Sequence, residues 1–127
     1  MEWSVTLGRS RDEECIVAAV GAKQVGTACS IPTPPDMPVN FAYNGLNGNI
    51  RLAYGAVSGD VDSLSLVASN ETVELALKKG SGKDGKRYFA YAAAPGEMKE
   101  IRAFDSKRSL LYSERERFTE TPPEGDR

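Results

Sequence analysis

Histidine is missing from this 127-residue chain, tryptophan occurs once and cysteine only twice. Without histidine there is no Ser-His-Asp triad, no imidazole metal ligand and no side chain that ordinarily titrates near neutrality. Lysine, tyrosine and carboxylate chemistry remain open. Two cysteines without histidine cannot close a structural zinc site, which takes four such ligands. An excess of basic charge is also missing. Sixteen Lys and Arg stand against 18 Asp and Glu, a net charge of -2. No overall field draws in nucleic acid, and sequence-specific nucleic-acid binding is not expected. No apolar stretch, Ile16 to Val20 included, comes near the roughly 20 residues that cross a bilayer as a helix. Met1-Glu2-Trp3 has neither a basic n-region nor an apolar h-region, so it does not read as a signal peptide. Membrane association is expected only through an anchor outside this chain. The start runs directly into Trp3, Val5 and Leu7. That favours a piece cut from a longer protein over a native cytoplasmic start.

What is present is ordinary globular material, 40% hydrophobic and 27% charged, and the length suits one domain. From Trp3 to Tyr112 the apolar residues recur with period two. Val73, Leu75 and Leu77 alternate with Thr72, Glu74, Ala76 and Lys78, and before them Leu64, Leu66 and Ala68 alternate with Ser63, Ser65 and Val67. This is the pattern of half-buried strands. Ser69-Asn70-Glu71 links the two as a hairpin, and Asp84-Gly85 marks a second turn before the aromatic strand Arg87 to Ala93. Strands are also expected at Trp3 to Gly8, Glu14 to Val20, Val39 to Tyr43, Ile50 to Val57, around Ile101 to Asp105, and at Leu110 to Tyr112. The prolines at 32, 34, 35 and 38 have no donor for a ladder, so they read as a loop crossing between sheets or as an edge. The result is an all-β, antiparallel, immunoglobulin-like β-sandwich of eight or nine short strands over residues 1–112. Its inward side chains are expected to include Leu64, Leu66, Val73, Leu75, Leu77, Phe89, Tyr91 and Ile101. The charged, proline-containing tail 113–127 is expected to fray, or to form a short helix over Glu114 to Phe118.

Cys15 opens the strand-like run Cys-Ile-Val-Ala-Ala-Val, and Cys29 precedes the proline loop. They form either a disulfide or two buried thiols. A disulfide is expected, because closing a loop of about 15 residues contributes about 3 kcal/mol in the chain-entropy picture. It implies an oxidising compartment.

The order of elements then resembles a known group. A cysteine pair, a proline loop, Leu52-Ala53-Tyr54-Gly55-Ala56-Val57-Ser58, three strands with a glycine-rich hairpin, and Ala103-Phe104-Asp105-Ser106 before a short last strand look like small extracytoplasmic domains of exported or membrane-anchored actinobacterial proteins. The resemblance implies a cell-surface or secreted setting and a non-catalytic role, and it carries over no functional residue. The chain departs from antibody domains in placing its one tryptophan, Trp3, before both cysteines.

Four stretches invite a chemical reading. Gly80-Ser81-Gly82-Lys83-Asp84-Gly85-Lys86 has the spacing of a phosphate-binding loop. However, position 87 is Arg instead of Ser or Thr, and a strand follows where that loop needs a helix. It reads as a hairpin loop. Gly55 to Gly59 has the spacing G-x-x-S-G, not G-x-S-x-G, and Ser58 has no histidine base. It reads as a turn serine. Asp60 and Asp62 could begin a calcium site, which wants six to eight oxygens. Turn carboxylates are the plainer reading, and no metal or cofactor is expected. Lys78, Lys79, Lys83, Lys86 and Arg87 crowd within ten positions around one acid, Asp84, with Tyr88 and Tyr91 following. Such a cluster either contacts an anionic surface ligand or protein face, or is a solvated hairpin whose lysines discourage edge pairing. The functional expectation is a non-catalytic binding or protein-interaction module that meets a protein or anionic ligand at this hairpin. The alternatives are a cytoplasmic or phage-type accessory protein and, third, an enzyme without a recognisable motif.

Overall fold

Most of the period-two patterning folds into antiparallel ladders. The computed structural model describes residues 3–10, 13–20, 23–46, 50–80 and 85–119. Among them β1 (Trp3–Ser10), β2 (Glu13–Val20) and β3 (Lys23–Cys29) form one sheet in that order. β4 (Val39–Leu46), β5 (Ile50–Val57), β9 (Arg87–Ala93) and β8 (Lys78–Lys79) form a second. β11 (Leu110–Glu114), β10 (Met98–Phe104), β6 (Ser63–Ala68) and β7 (Thr72–Glu74) form a third. Every pairing is antiparallel. Eleven strands therefore replace the eight or nine expected.

The second sheet is the middle layer of three, and its sequence explains why. Even positions Leu52, Tyr54, Ala56, Tyr88 and Ala90 pack with Ile16, Ala18 and Ile31 of the first sheet and its exit loop. Odd positions Ala53, Val57 and Phe89 pack with Leu64, Leu66, Leu75, Ile101 and Ala103 on the other side. The β5–β9 register keeps these sets apart, with Tyr54 opposite Ala90 and Gly55 opposite Phe89. Six successive residues of β5, from Leu52 to Val57, are buried, so the strand is apolar on both faces. At Gly55 a Cβ would come within 2.6 Å of the Phe41 Cα, so only glycine lets β4 and β5 lie this close. The second and third sheets make the expected sandwich, and the first sheet adds a layer.

The expected core is inward-facing. Leu64, Leu66, Leu75, Phe89 and Ile101 are buried, while Val73, Leu77 and Tyr91 are half-buried against the same cluster. Two local expectations change. Val73 to Leu77 is not one strand. The Leu75 amide donates to the Leu64 carbonyl at 2.8 Å, in the third sheet, whereas Lys78 and Lys79 pair with Tyr88 and Arg87 in the second. The chain thus crosses between sheets at residues 75–77. β3 was not expected, because Lys23 to Cys29 lacks apolar alternation. It forms by pairing with β2, placing Cys29 directly opposite Cys15, and these two are joined as a disulfide.

The short helical segment expected in the tail is a 3-10 helix, Glu116–Thr119. Phe118 stacks on Phe41 with centroids 5.5 Å apart and meets the edge of Tyr43 at 5.0 Å. The Arg117 guanidinium lies over the Phe41 ring at 4.8 Å and donates to the Phe41 carbonyl. Residues 120–127 lie outside the described residues.

Glu100 on β10 is a buried carboxylate. It accepts two hydrogen bonds from Arg102, at 2.9 and 3.1 Å, and has Arg115 at 3.8 Å. The Arg102 hydrogen bonds lower its pKa below the ordinary carboxylate value of 4.5, against the opposing pull of burial. A carboxylate with a folded-state pKa below its unfolded value adds stability above the unfolded pKa and loses it as pH falls through the folded one. Stability measured by urea unfolding should therefore decline as pH falls below 4.5. Glu100→Gln should flatten that decline, and an unchanged slope would assign it to other carboxylates.

Candidate binding surface at the β8–β9 hairpin

β8 is an edge strand only two residues long. Short, lysine-bearing edges are poor templates for further strands. Its cations part company with those of β9. Lys78 and Lys79 are exposed. Lys86 is half-buried and donates its Nζ to the Ile31 carbonyl at the head of the proline loop. Arg87 lines an open cavity of about 650 Å³ with Asp60, Asp62 and Asp105. Lys83 lies outside the described residues. The structure thus leaves Lys78 and Lys79 exposed at successive positions of the open edge, turns Lys86 toward the first sheet, and places Arg87 on a cavity lined also by Asp60, Asp62 and Asp105.

Next to Lys78 a groove of about 530 Å³ opens. Chain direction creates it. β8 pairs with β9 only at Lys78–Tyr88 and Lys79–Arg87, and residues 75–77 then swing away toward the third sheet. The diverging segments leave an apolar trough walled by Leu75, Leu77, Tyr88 and Ala90, with Glu74 and Lys78 also on its lining. Beneath it the Tyr88 hydroxyl donates to Glu14 Oε1 at 2.6 Å, which fixes the ring against the first sheet. Glu14 and the groove were both missed from sequence. Reading 73–77 as one continuous strand conceals the crossing, and the Tyr88–Glu14 contact joins residues 74 positions apart.

The other motifs resolve simply. β9 follows the Gly80–Lys86 stretch, so a strand stands where a phosphate-binding loop needs a helix; residues 81–84 lie outside the described residues. The Ser58 hydroxyl is buried with no hydrogen-bond partner among the described residues. Asp60 and Asp62 are exposed, and no group of three or more Asp, Glu, Cys or His among the described residues could hold a metal ion. No described helix is long and apolar enough to cross a membrane.

Comparison with known proteins leaves the function to the geometry: no family model matches the chain, and no match is found among curated proteins or among solved structures.

Proposed function

We propose that this domain is a non-catalytic binding module, set outside the cytoplasm, whose protein partner presents acidic groups to Lys78 and Lys79. One observation carries the reading: two adjacent lysines stand exposed on an edge strand beside an apolar groove, in a chain of net charge -2. Pockets that take ligands pair apolar walls with a few placed polar groups. The Cys15–Cys29 disulfide supports an oxidising setting, in keeping with the resemblance to exported and membrane-anchored actinobacterial domains. Lys86, bonded to the Ile31 carbonyl, holds the hairpin to the proline loop and is not counted among the contact residues.

Attraction between exposed charges is screened beyond about 8 Å at physiological salt. A polyglutamate peptide should therefore bind weakly at low salt and lose affinity as salt rises. The double variant Lys78→Glu/Lys79→Glu should bind it less well at every salt concentration. Binding that ignored both salt and the double variant would overturn the reading. It would move attention to the proline loop, Ile31 to Pro38, where Met37 is an exposed large hydrophobic side chain.

A further inference from the structure

The groove beside β8 has residues of opposite charge on its lining, and this deepens the reading above by indicating what the partner offers. Glu74 and Lys78 both line it and both are exposed. They are four residues apart on a segment that runs from the end of β7 into β8. Four residues span at most about 13 Å when fully extended, and less where the chain bends between the sheets. Ala76, between them, is exposed and small, and Leu75, Leu77 and Ala90 supply the apolar lining. A volume of about 530 Å³ lies within the range of about 300–1,000 Å³ usual for ligand sites.

We infer that the groove receives an extended peptide segment of a partner protein, with an acidic residue against Lys78, a basic residue four positions away against Glu74, and apolar residues between. Charge complementarity selects this occupant. A fatty anion satisfies Lys78 but leaves its apolar end against the Glu74 carboxylate. A uniformly acidic segment gains at Lys78 and is repelled at Glu74. A peptide with one charge of each sign answers both, and residues i and i+4 of an extended peptide point to the same side, so both of its charges can face the groove. The inference rests on the proposed binding role and adds the sequence pattern recognised.

The test is an NMR-monitored titration of the whole chain with the pentapeptide acetyl-Glu-Leu-Val-Leu-Lys-amide, with polyglutamate and decanoate as comparison probes. The pentapeptide should bind more tightly than either. Lys78→Glu should weaken it about twofold to fivefold, the scale of one exposed ion pair. Ala76→Trp, at an exposed position, should fill the trough and abolish pentapeptide binding while leaving the weaker, salt-sensitive polyglutamate binding in place. Replacing the peptide's central valine, the residue that shares the face of the two charges, with serine should give the same loss with the protein untouched. Pentapeptide binding that survives Ala76→Trp or the serine peptide overturns the groove assignment. Polyglutamate binding as tightly as the pentapeptide also overturns it but leaves the lysine reading standing. Decanoate binding more tightly than the pentapeptide replaces a peptide occupant with a lipid one. Failure of polyglutamate to bind at low salt removes the underlying binding role itself.

Discussion

Phe89→Ala is expected to destabilise the domain by about 3–5 kcal/mol, the usual range for emptying a buried aromatic site. Phe89 is 1% exposed and sits in the middle sheet, with its ring 6.3 Å from Phe41. Its neighbours are held by ladders on both sides of the sandwich, so they can collapse only partly into the space left behind. The effect should appear in urea unfolding as a lower midpoint with little change in slope, because the surface exposed on unfolding hardly changes. A small domain is stable by only about 5–15 kcal/mol, so this one side chain accounts for a large part of the margin. A loss under about 1 kcal/mol would place Phe89 outside the core and reverse the facing of β9.

The second large effect concerns the first sheet. Reducing the Cys15–Cys29 bond, or replacing both cysteines with alanine, should lower stability by about 2–4 kcal/mol, because the unfolded chain regains the freedom that the closed loop denied it. Cys15 is 5% exposed, and the bond joins β2 to β3 where they are directly paired. β3 has few apolar side chains to hold it, so its amides should also exchange faster with solvent after reduction than those of β5 or β9. Unchanged stability on reduction would mean that β3 is held by its ladder alone.

Much of this architecture is readable from residues, and the exceptions have definite physical causes. The β6–β7 hairpin, the crossing role of the proline loop and the inward face of Leu64, Leu66 and Ile101 follow from alternation and turn chemistry, because one wet and one dry face leave a period-two trace. The added layer, the first sheet against the middle one, leaves no such trace. β5 carries Ala53, Gly55 and Val57 between Leu52, Tyr54 and Ala56, and a strand covered on both faces shows continuous small and apolar residues instead. β3 is set by its partner strand, not by its own sequence, so nothing local announces it. The candidate surface is half legible. The lysine-rich hairpin is plain in the sequence, but its division among an open edge, the proline loop and a carboxylate-lined cavity depends on backbone direction. The groove exists only because Leu75 follows β6 while Lys78 follows β9.

Mapping an acidic probe onto the folded chain tests the central claim most directly. Amide resonances of the whole chain, followed by NMR during titration with polyglutamate at low and at physiological salt, report where contact occurs and what drives it. The account predicts shifts centred on Lys78 and Lys79 and on the facing residues Arg87 and Tyr88, shrinking sharply at the higher salt. Shifts centred elsewhere, or shifts at the hairpin that salt leaves unchanged, would contradict it.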